Sequence, residues 1–152
     1  MVMENISVIR ADESNVQEAA GLFDLYRQFY GQKSAIESCT EYLQERQRLD
    51  ESTVFFAKDT NGNVLGFTQL YPAFSSISLR RDLVLNDLFV LEKARGRGIA
   101  RKLLQAAKEH AQKVNSKGLL LETDILNANA QALYESFGFE RITDHYFYYL
   151  NV

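Results

Sequence analysis

Hydrophobic positions recur at two different spacings along the chain, and the change in spacing predicts both helices and strands. Near the start, a short alternating stretch, Ser7–Arg10, predicts a strand. Two amphipathic segments follow it, in which apolar residues return every three or four positions. Ser14 with Gln17 and Ser34 with Glu37 have the spacing of capping boxes, so we expect these pairs to open two helices.

Strand patterns begin after the second helix. β-branched and aromatic residues predict strands at 54–57 and 64–71, joined by a tight turn at the Asn-Gly pair 61–62. We expect Pro72 to end the second of these strands, because proline cannot donate a hydrogen bond to a neighbouring strand. A third strand is predicted at 82–91.

The second half of the chain alternates between helix and strand. Apolar residues at helical spacing predict a helix over 99–114, and a strand follows at 119–123. Asn127 is placed to cap a further helix, and two final strands are predicted at 139–142 and 145–150. Together, these helices and strands predict an α/β fold in the broad sense, a mixed α+β arrangement.

Length and composition are those of one globular domain, which we expect to cover residues 1–152. The net charge of −3 gives no reason to expect a nucleic-acid partner. Glu4 and the lack of a long apolar run predict no signal peptide, no membrane partner and a cytoplasmic location. The single cysteine, Cys39, and the two distant histidines, His110 and His145, lack metal-ligand spacing, so no metal is expected.

A basic, glycine-bearing turn stands between the strand at 82–91 and the helix at 99–114. Glycine lets backbone come close to a ligand, and the first turn of a helix attracts phosphate. Arg101 stands where a dinucleotide-binding fingerprint needs its third glycine, and no stretch of the chain supplies the pattern of a P-loop. A diphosphate cradle is therefore predicted from Arg95, Gly96, Arg97, Gly98, Ile99, Ala100 and Arg101.

Two motifs together point to a family. Arg95-x-x-Gly98-x-Ala100 matches the signature [QR]-x-x-G-x-[GA], and residues 127–139 fill every fixed position of N-x-x-A-x-x-L-Y-x-x-x-G-F. In both motifs the chain resembles the GCN5-related N-acetyltransferase (GNAT) superfamily. The resemblance implies acetyl-CoA as co-substrate and a twisted mixed central sheet of about six to seven strands with helices on both faces. Homodimers are frequent in that family, which makes a homodimer a further expectation.

The resemblance also assigns a co-substrate site. In the family, the turn grips the pyrophosphate, and the strand before it pairs with the pantetheine arm, as extended ligands do on an open strand edge. Asn127 is interpreted as a helix cap, with or without a contact to the CoA arm. The expected co-substrate residues are Phe89, Val90, Leu91, Arg95, Gly96, Arg97, Gly98, Ile99, Ala100, Arg101, Asn127 and Tyr134.

Tyr134 is the candidate general acid, because the tyrosine of the downstream motif lies near the thioester sulfur in the family. A phenol can give a proton to a departing thiolate, which needs only modest help. The alternative is a tyrosine that packs its helix against the sheet.

The group that deprotonates the attacking amine is harder to assign. The run 85–100 looks like that of the diamine acetyltransferases, which carry Glu-Asp where this chain has Asn86-Asp87. Asn86 cannot act as a base. Asp87 is therefore expected to recognise substrate charge or to deprotonate the amine through a water, with a purely structural hydrogen bond as the alternative. Further candidates are Glu122, Asp124 and His145.

The acceptor site is expected near the first two helices, which flank it in the family. The tyrosines there, Tyr26, Tyr30 and Tyr42, are either pocket residues or core aromatics. The candidate acceptor residues are Tyr26, Tyr30, Asn86, Asp87 and Glu122.

Three functions are consistent with these motifs. The first is acetyl transfer from acetyl-CoA to a primary amine of a small cationic molecule, such as a polyamine, an amino acid or a lysine analogue. The second is acetylation of protein lysines or N-termini. The third is a non-catalytic acyl-CoA-binding sensor that kept the cradle and lost the chemistry.

Overall fold

The computed structural model describes residues 5–152, so that Glu4 and the expectation built on it lie outside the described residues. The strands are β1 (Ser7–Arg10), β2 (Thr53–Lys58), β3 (Val64–Ser75), β4 (Arg80–Val90) and β5 (Leu119–Leu120). The helices are α1 (Ala20–Phe29), α2 (Ile36–Arg48), α3 (Ile99–Lys113) and α4 (Ala128–Phe137). Short 3-10 turns cover Val16–Ala19 and Glu92–Ala94.

The strands form one mixed sheet in the order β1-β2-β3-β4-β5. The first four are antiparallel to their neighbours, whereas β5 pairs with β4 in parallel. The predicted mixed α/β class is therefore confirmed. The strand number is corrected, because the described residues contain five strands rather than six or seven.

The two final strands predicted at 139–142 and 145–150 do not form, and β5 spans Leu119–Leu120 rather than 119–123. An alternating pattern makes a segment suitable for a strand, but only a paired neighbour completes the backbone hydrogen bonds. Large apolar side chains near the C-terminus are accordingly exposed, with Tyr148 at 93% and Tyr149 at 91%.

The prediction that a strand ends at Pro72 is also wrong. Strand β3 continues to Ser75, and Pro72 lies opposite Leu83 of β4. The pairing of β2 with β3 reaches only from Lys58 to Thr53, which lies opposite Leu70. Beyond that point β3 has a neighbour on one side only, and an edge position tolerates the missing donor of a proline.

Neither predicted capping box forms as such. The Ser14 hydroxyl donates to the Asp12 carboxylate at 2.5 Å, and the Ser34 hydroxyl donates to Asp24 at 2.7 Å. No side chain caps α1 or α2. In the second case a carboxylate from α1 competes for the serine, which the local sequence does not reveal.

Helices cover both faces of the sheet, as predicted. On one face, Phe23 of α1 packs edge-on against Phe67 of β3, with ring centroids 6.1 Å apart. On the other face, α3 lies close to Gly66, where an added Cβ would be 3.1 Å from Ile99 Cγ2 and 3.2 Å from Leu103 Cδ1. The glycine thus lets the helix approach the sheet directly after the basic turn.

The chain divides into two compact units, residues 5–121 of the described chain and residues 122–152. The first contains the sheet with α1, α2 and α3, and its apolar core includes Phe56, Phe67 and Leu43. The second contains α4, none of whose residues is buried. No helix within residues 5–152 is both long and apolar enough to cross a membrane.

Candidate functional site

A β-bulge in β4 places two of the candidate acceptor residues, Asn86 and Asp87. Gln69 of β3 lies opposite Asp87, but the next residue, Leu70, lies opposite Leu85. Asn86 is therefore an extra residue in β4. Bulges twist a strand and change the direction of its side chains, and they are frequent beside active sites.

Asp87 is a buried carboxyl at this bulge, with 3% of its surface exposed. Gln69 Nε2 donates to its Oδ2 atom at 2.7 Å, and Asn86 Nδ2 donates to Oδ1 at 3.1 Å. Burial raises the pKa of Asp87 above its ordinary value, and the hydrogen bonds from Gln69, Asn86 and Tyr26 offset part of that rise. A carboxyl with a raised pKa is better suited to accept a proton from an amine than an exposed one.

Tyr26 connects α1 to the bulge. Its hydroxyl lies 3.3 Å from the Asn86 carbonyl oxygen and also contacts the Asp87 carboxyl. Its ring meets those of Tyr30, at 5.0 Å between centroids, and Phe89, at 6.2 Å. Burial, followed by the nearby charge of Asp87, raises the pKa of the Tyr26 phenol, which therefore stays neutral. Tyr26 thus packs against core aromatic rings and also contacts the carboxyl, and its role in an acceptor pocket stays a prediction.

Tyr42, one of the candidate pocket tyrosines, forms a pair with Tyr71, which the sequence analysis did not place at the site. The Tyr42 and Tyr71 hydroxyls are 2.8 Å apart, and the Arg46 guanidinium lies 4.9 Å from the centre of the Tyr42 ring. Burial raises the pKa of Tyr71, with the Tyr42 hydrogen bond and the charge of Asp87 adding to the effect. Aromatic rings and a buried carboxyl on one face of the sheet suit a cationic group.

The edge of β4 that pairs with β5 extends well past that pairing. Leu83 and Val84 of β4 pair with β5, while β4 continues to Val90. Within residues 5–152, that edge of β4 has no strand partner beyond Val84. An edge of this kind can bind an extended ligand through backbone hydrogen bonds.

The basic turn begins where β4 ends. The Leu91 amide donates to Leu65 at 2.9 Å, and Arg95 Nε donates to the Val90 carbonyl at 3.0 Å. The Arg95 guanidinium also lies 5.8 Å from the centre of the Phe89 ring. Arg95 therefore holds the turn against the strand, in addition to supplying positive charge.

Two glycines shape the turn before α3. Gly96 has φ of 77° and Gly98 has φ of 76°, a left-handed conformation that side chains disfavour. Gly98 precedes the first helical residue, Ile99, and no side chain caps the helix there. The first amides of α3 and its positive dipole end are thus suited to a phosphate group.

The downstream motif lies in the second unit, on α4. Asn127 Oδ1 accepts a hydrogen bond from the Ala130 amide at 3.1 Å, which confirms its capping role. Tyr134 lies in the second turn of α4, and its ring is 5.7 Å from that of Phe139. The amides of Gly138 and Phe139 donate to the Tyr134 carbonyl and end the helix.

The other candidate bases are more exposed than Asp87. Glu122 is exposed, and Asp124 accepts from the Leu126 amide at 2.7 Å in a local turn. His145 lies 2.6 Å from Asp144 on the surface. Among residues 5–152, no group of three His, Cys, Asp or Glu side chains is arranged to hold a metal ion.

Gln69 is a further site residue that sequence reasoning missed. Its signal was a single amide within the largely apolar residues 64–71, where a polar side chain that is fully buried must find a partner. Which partner it finds depends on the register between β3 and β4, and the bulge decides that register.

Comparison with known proteins supports the family resemblance found in the two motifs. The Acetyltransferase (GNAT) family model matches residues 19–139. The chain is 42% identical over 147 residues to the uncharacterized N-acetyltransferase YhfO of Bacillus subtilis (strain 168), covering 97% of this chain and 98% of the relative. A crystal structure of a probable acetyltransferase is 38% identical and has a TM-score of 0.89, covering 96% of this chain and 97% of that chain.

A more distant structure shares the fold. It is an aminoglycoside N-acetyltransferase, AAC(6')-Iy, in complex with CoA, with 18% identity and a TM-score of 0.80 over 98% of this chain and 97% of that one. The matched family range includes both motifs, the bulge and the basic turn. This chain therefore belongs to the acetyltransferase (GNAT) family and is an N-acetyltransferase.

Proposed function

We propose that the protein transfers the acetyl group of acetyl-CoA to a primary amine of a small cationic molecule by direct attack on the thioester. The observation that carries the proposal is the buried Asp87 carboxyl, which has tyrosines against it and lies on the strand that leads into the glycine turn. A carboxyl in that position both attracts a cation and accepts its proton.

The first unit supplies the features needed to hold acetyl-CoA. The proposed phosphate contacts are the amides at the start of α3 and the cations of the turn, Arg95, Arg97 and Arg101. The pantetheine arm would pair with the edge of β4 at Phe89 to Leu91. The CoA held by the distant aminoglycoside enzyme with the same fold is consistent with this use.

The thioester carbonyl needs a donor as its oxygen gains negative charge. A backbone N–H close to Phe89 or Val90 is the proposed donor, because the strand fixes its direction before the reaction begins. One such donor is worth about 100- to 1000-fold in rate. The reaction would therefore depend on a backbone group that no side-chain substitution removes.

Two proton transfers complete the step. A primary ammonium has a pKa of about 10.4 and must lose a proton before attack, and Asp87 would take that proton directly or through a water. The amine nitrogen then forms the new amide bond while the carbon–sulfur bond breaks. The Tyr134 hydroxyl is proposed to protonate the departing thiolate.

The domain organisation belongs to the same proposal. The family match at residues 19–139 extends over both compact units, so we treat residues 1–152 as one acetyltransferase domain. A cytoplasmic location and a homodimer stay predictions from the sequence and the resemblance.

The proposal is tested by following thiol release from acetyl-CoA with polyamines, free amino acids, aminoglycosides and lysine peptides as acceptors. Turnover with a small cationic amine is expected, and Tyr134→Phe should lower kcat about 100-fold with little change in the KM for acetyl-CoA. Tyr148→Phe is the control, since this tyrosine is 93% exposed and its variant should keep the wild-type rate.

Other results would favour the other functions. Turnover confined to lysine peptides or protein N-termini would replace the small amine with a polypeptide acceptor. Thermal stabilisation by acetyl-CoA without turnover on any acceptor would favour the sensor. Asn86 motivates that possibility, because it cannot take a proton and here donates to Asp87 instead.

A further inference from the structure

Gln69 is the most unusual buried residue of the first unit. It lies in the middle of β3 between Thr68 and Leu70, and none of its surface is exposed. Its side chain points to the face that carries Phe67 and Tyr71. A polar amide in this position loses its hydration completely, so its contacts require an explanation.

The amide of Gln69 is only half satisfied. Nε2 donates to Asp87 Oδ2 at 2.7 Å, while the buried Oε1 atom has no hydrogen-bond partner. An apolar residue of similar size would avoid this cost of desolvation. The hydrogen bond to Asp87 is therefore the contact that accounts for an amide at this position.

An amide differs from other partners because it both donates and accepts. Toward an ionised Asp87, Nε2 of Gln69 donates to Oδ2, as observed. Toward a protonated Asp87, a half-turn about the last side-chain bond presents Oε1, which accepts the O–H of the carboxyl. One amide atom is unpaired in either orientation, so neither orientation avoids a desolvation cost, and the orientation follows the proton.

The second oxygen of Asp87 keeps its partner in both states. Asn86 Nδ2 donates to Oδ1 at 3.1 Å, and the bulge fixes Asn86 beside it. Proton uptake is thereby directed to Oδ2, the oxygen that faces Gln69. The carboxyl can change its charge without rotating and without losing either amide partner.

We propose that Gln69 is a positioning residue for acetyl transfer, which holds Asp87 through both of its protonation states by reversing its side-chain amide. This inference rests on the proposed role of Asp87 as the proton acceptor. The proton leaves the ammonium of the acceptor, directly or through a water, and binds Oδ2. It returns to solvent after the acetylated amine has left.

The remaining groups around Asp87 do not compete for this proton. Tyr26 approaches from α1, with Tyr30 behind it, and Tyr71 approaches from β3. Burial raises the pKa of both Tyr26 and Tyr71, so both phenols stay neutral where Asp87 titrates. From α2, the Tyr42 hydroxyl lies 2.8 Å from the Tyr71 hydroxyl, and Arg46 lies over the Tyr42 ring.

The test is the pH profile of kcat/KM for Gln69→Met, which keeps the side-chain length and removes both amide functions. The variant loses one hydrogen bond to each protonation state of Asp87, but the bond to the ionised carboxylate is the stronger one, so the acid limb of the profile should move to higher pH. On that limb kcat/KM should fall by up to about tenfold, the difference between a hydrogen bond to a charged group and one to a neutral group. The KM for acetyl-CoA should stay unchanged.

Thr68→Val is the matched control. Thr68 is also fully buried in β3, but its hydroxyl donates at 2.8 Å to the backbone carbonyl of Asp87 and not to the carboxyl. This variant loses a buried hydrogen bond of the same strand and should leave the acid limb in place. An equal shift in both variants would mean general loosening of the strand and would overturn the proposal.

A measurement on the wild-type protein needs neither a variant nor turnover. The side-chain amide signals of Gln69 and the carboxyl carbon of Asp87 are followed by NMR during one pH titration. Both should change with a common midpoint, and a Gln69 amide that ignores the titration of Asp87 would refute the inference. Coupled titration in a protein without acetyl transfer would instead refute the proposed function alone.

Discussion

At the scale of single residues, two buried aspartates have opposite electrostatic environments. Asp87 is raised in pKa by burial, whereas Asp24 is lowered by hydrogen bonds from the Ala35 amide and the Ser34 hydroxyl. Asp24 thus fixes the connection between α1 and α2 as a stable anion. Asp87 is instead held in a site that penalises its charge, as expected of a group with a chemical role.

Removing the charge of Asp87 should therefore stabilise the fold while it stops the reaction. The pKa of Asp87 is higher in the folded protein than in the unfolded chain, where it is about 3.9. Ionisation of Asp87 therefore favours the unfolded state as the pH rises through the pKa of the folded protein. Asp87→Asn should raise Tm at neutral pH, and the gain should vanish below about pH 4, where the wild-type carboxyl is protonated in both states. Thermal unfolding across pH measures this.

Asp24→Asn is the comparison with the opposite sign. It weakens bonds that depend on a carboxylate, so Tm should fall at neutral pH, and the difference from wild type should shrink on acidification. A higher Tm for this variant, or a lower one for Asp87→Asn, would contradict the two assignments.

At the scale of elements, conformation at particular turns was predictable where a residue type demands it. A turn forms at the Asn-Gly pair 61–62 between β2 and β3, and Gly62 has φ of 82°. Its central residues are Thr60 and Asn61 rather than the predicted pair, because the Gly62 amide donates to the Asp59 carbonyl. Asn127 caps α4 as its type and position predict. The serine boxes failed because Asp12 and Asp24 compete for the same hydroxyls.

The prediction at the scale of elements concerns the glycine turn before α3 and its affinity for CoA. Gly98→Ala places a Cβ on a residue with φ of 76°, which costs about 1–2 kcal/mol of strain, although the Cβ meets no atom within 4 Å. The turn should move to relieve that strain, and we expect at least a tenfold weaker affinity for CoA by isothermal titration calorimetry.

Gly62→Ala is the control for strain alone. Gly62 has φ of 82° and open space around it, but it lies in the hairpin between β2 and β3. The Gly62→Ala variant should lose a similar amount of stability, about 1–2 kcal/mol, and keep the wild-type affinity for CoA. If both variants bind CoA equally, the turn is not the phosphate site.

At the scale of the whole molecule, the sheet is held between helices by residues from distant parts of the chain. His110 of α3 shows this, because its side chain is 8% exposed and lies 3.3 Å from the Thr53 hydroxyl of β2. Its ring also meets Phe55 edge-on at 5.9 Å. Burial, with Arg10, Lys113 and Arg81 nearby, lowers the pKa of His110.

This histidine should make the fold sensitive to mild acid. Because its folded pKa lies below the unfolded value of about 6.5, its contribution is present above that pH and is lost as pH falls toward the folded pKa. His110→Gln should reduce the slope of unfolding free energy against pH below about pH 6.5, a slope of at most about 1.4 kcal/mol per pH unit.

Urea unfolding at several pH values provides the measurement. His145→Gln is the control, since that side chain is 72% exposed, and its slope should match wild type. An unchanged slope in His110→Gln would show that the interface between α3 and β2 tolerates a charged imidazole.

The sequence by itself determined what depends on local spacing. Helical and strand periods located α1 to α4 and β1 to β4, and the two motifs identified the family, because glycine conformation, capping and motif spacing act within a few residues. Asp87 was also accessible this way, as a charged residue at the head of an apolar strand.

The tertiary structure decided the features that depend on which strands lie next to each other. The register of β3 with β4 created the bulge and brought Gln69 to Asp87, and Pro72 lies in the part of β3 that extends past its pairing with β2. The last stretches did not become strands, since an alternating pattern supplies no partner for its own backbone. Hydrogen bonds between distant segments follow from pairing and packing, and no local pattern encodes their choice of partner.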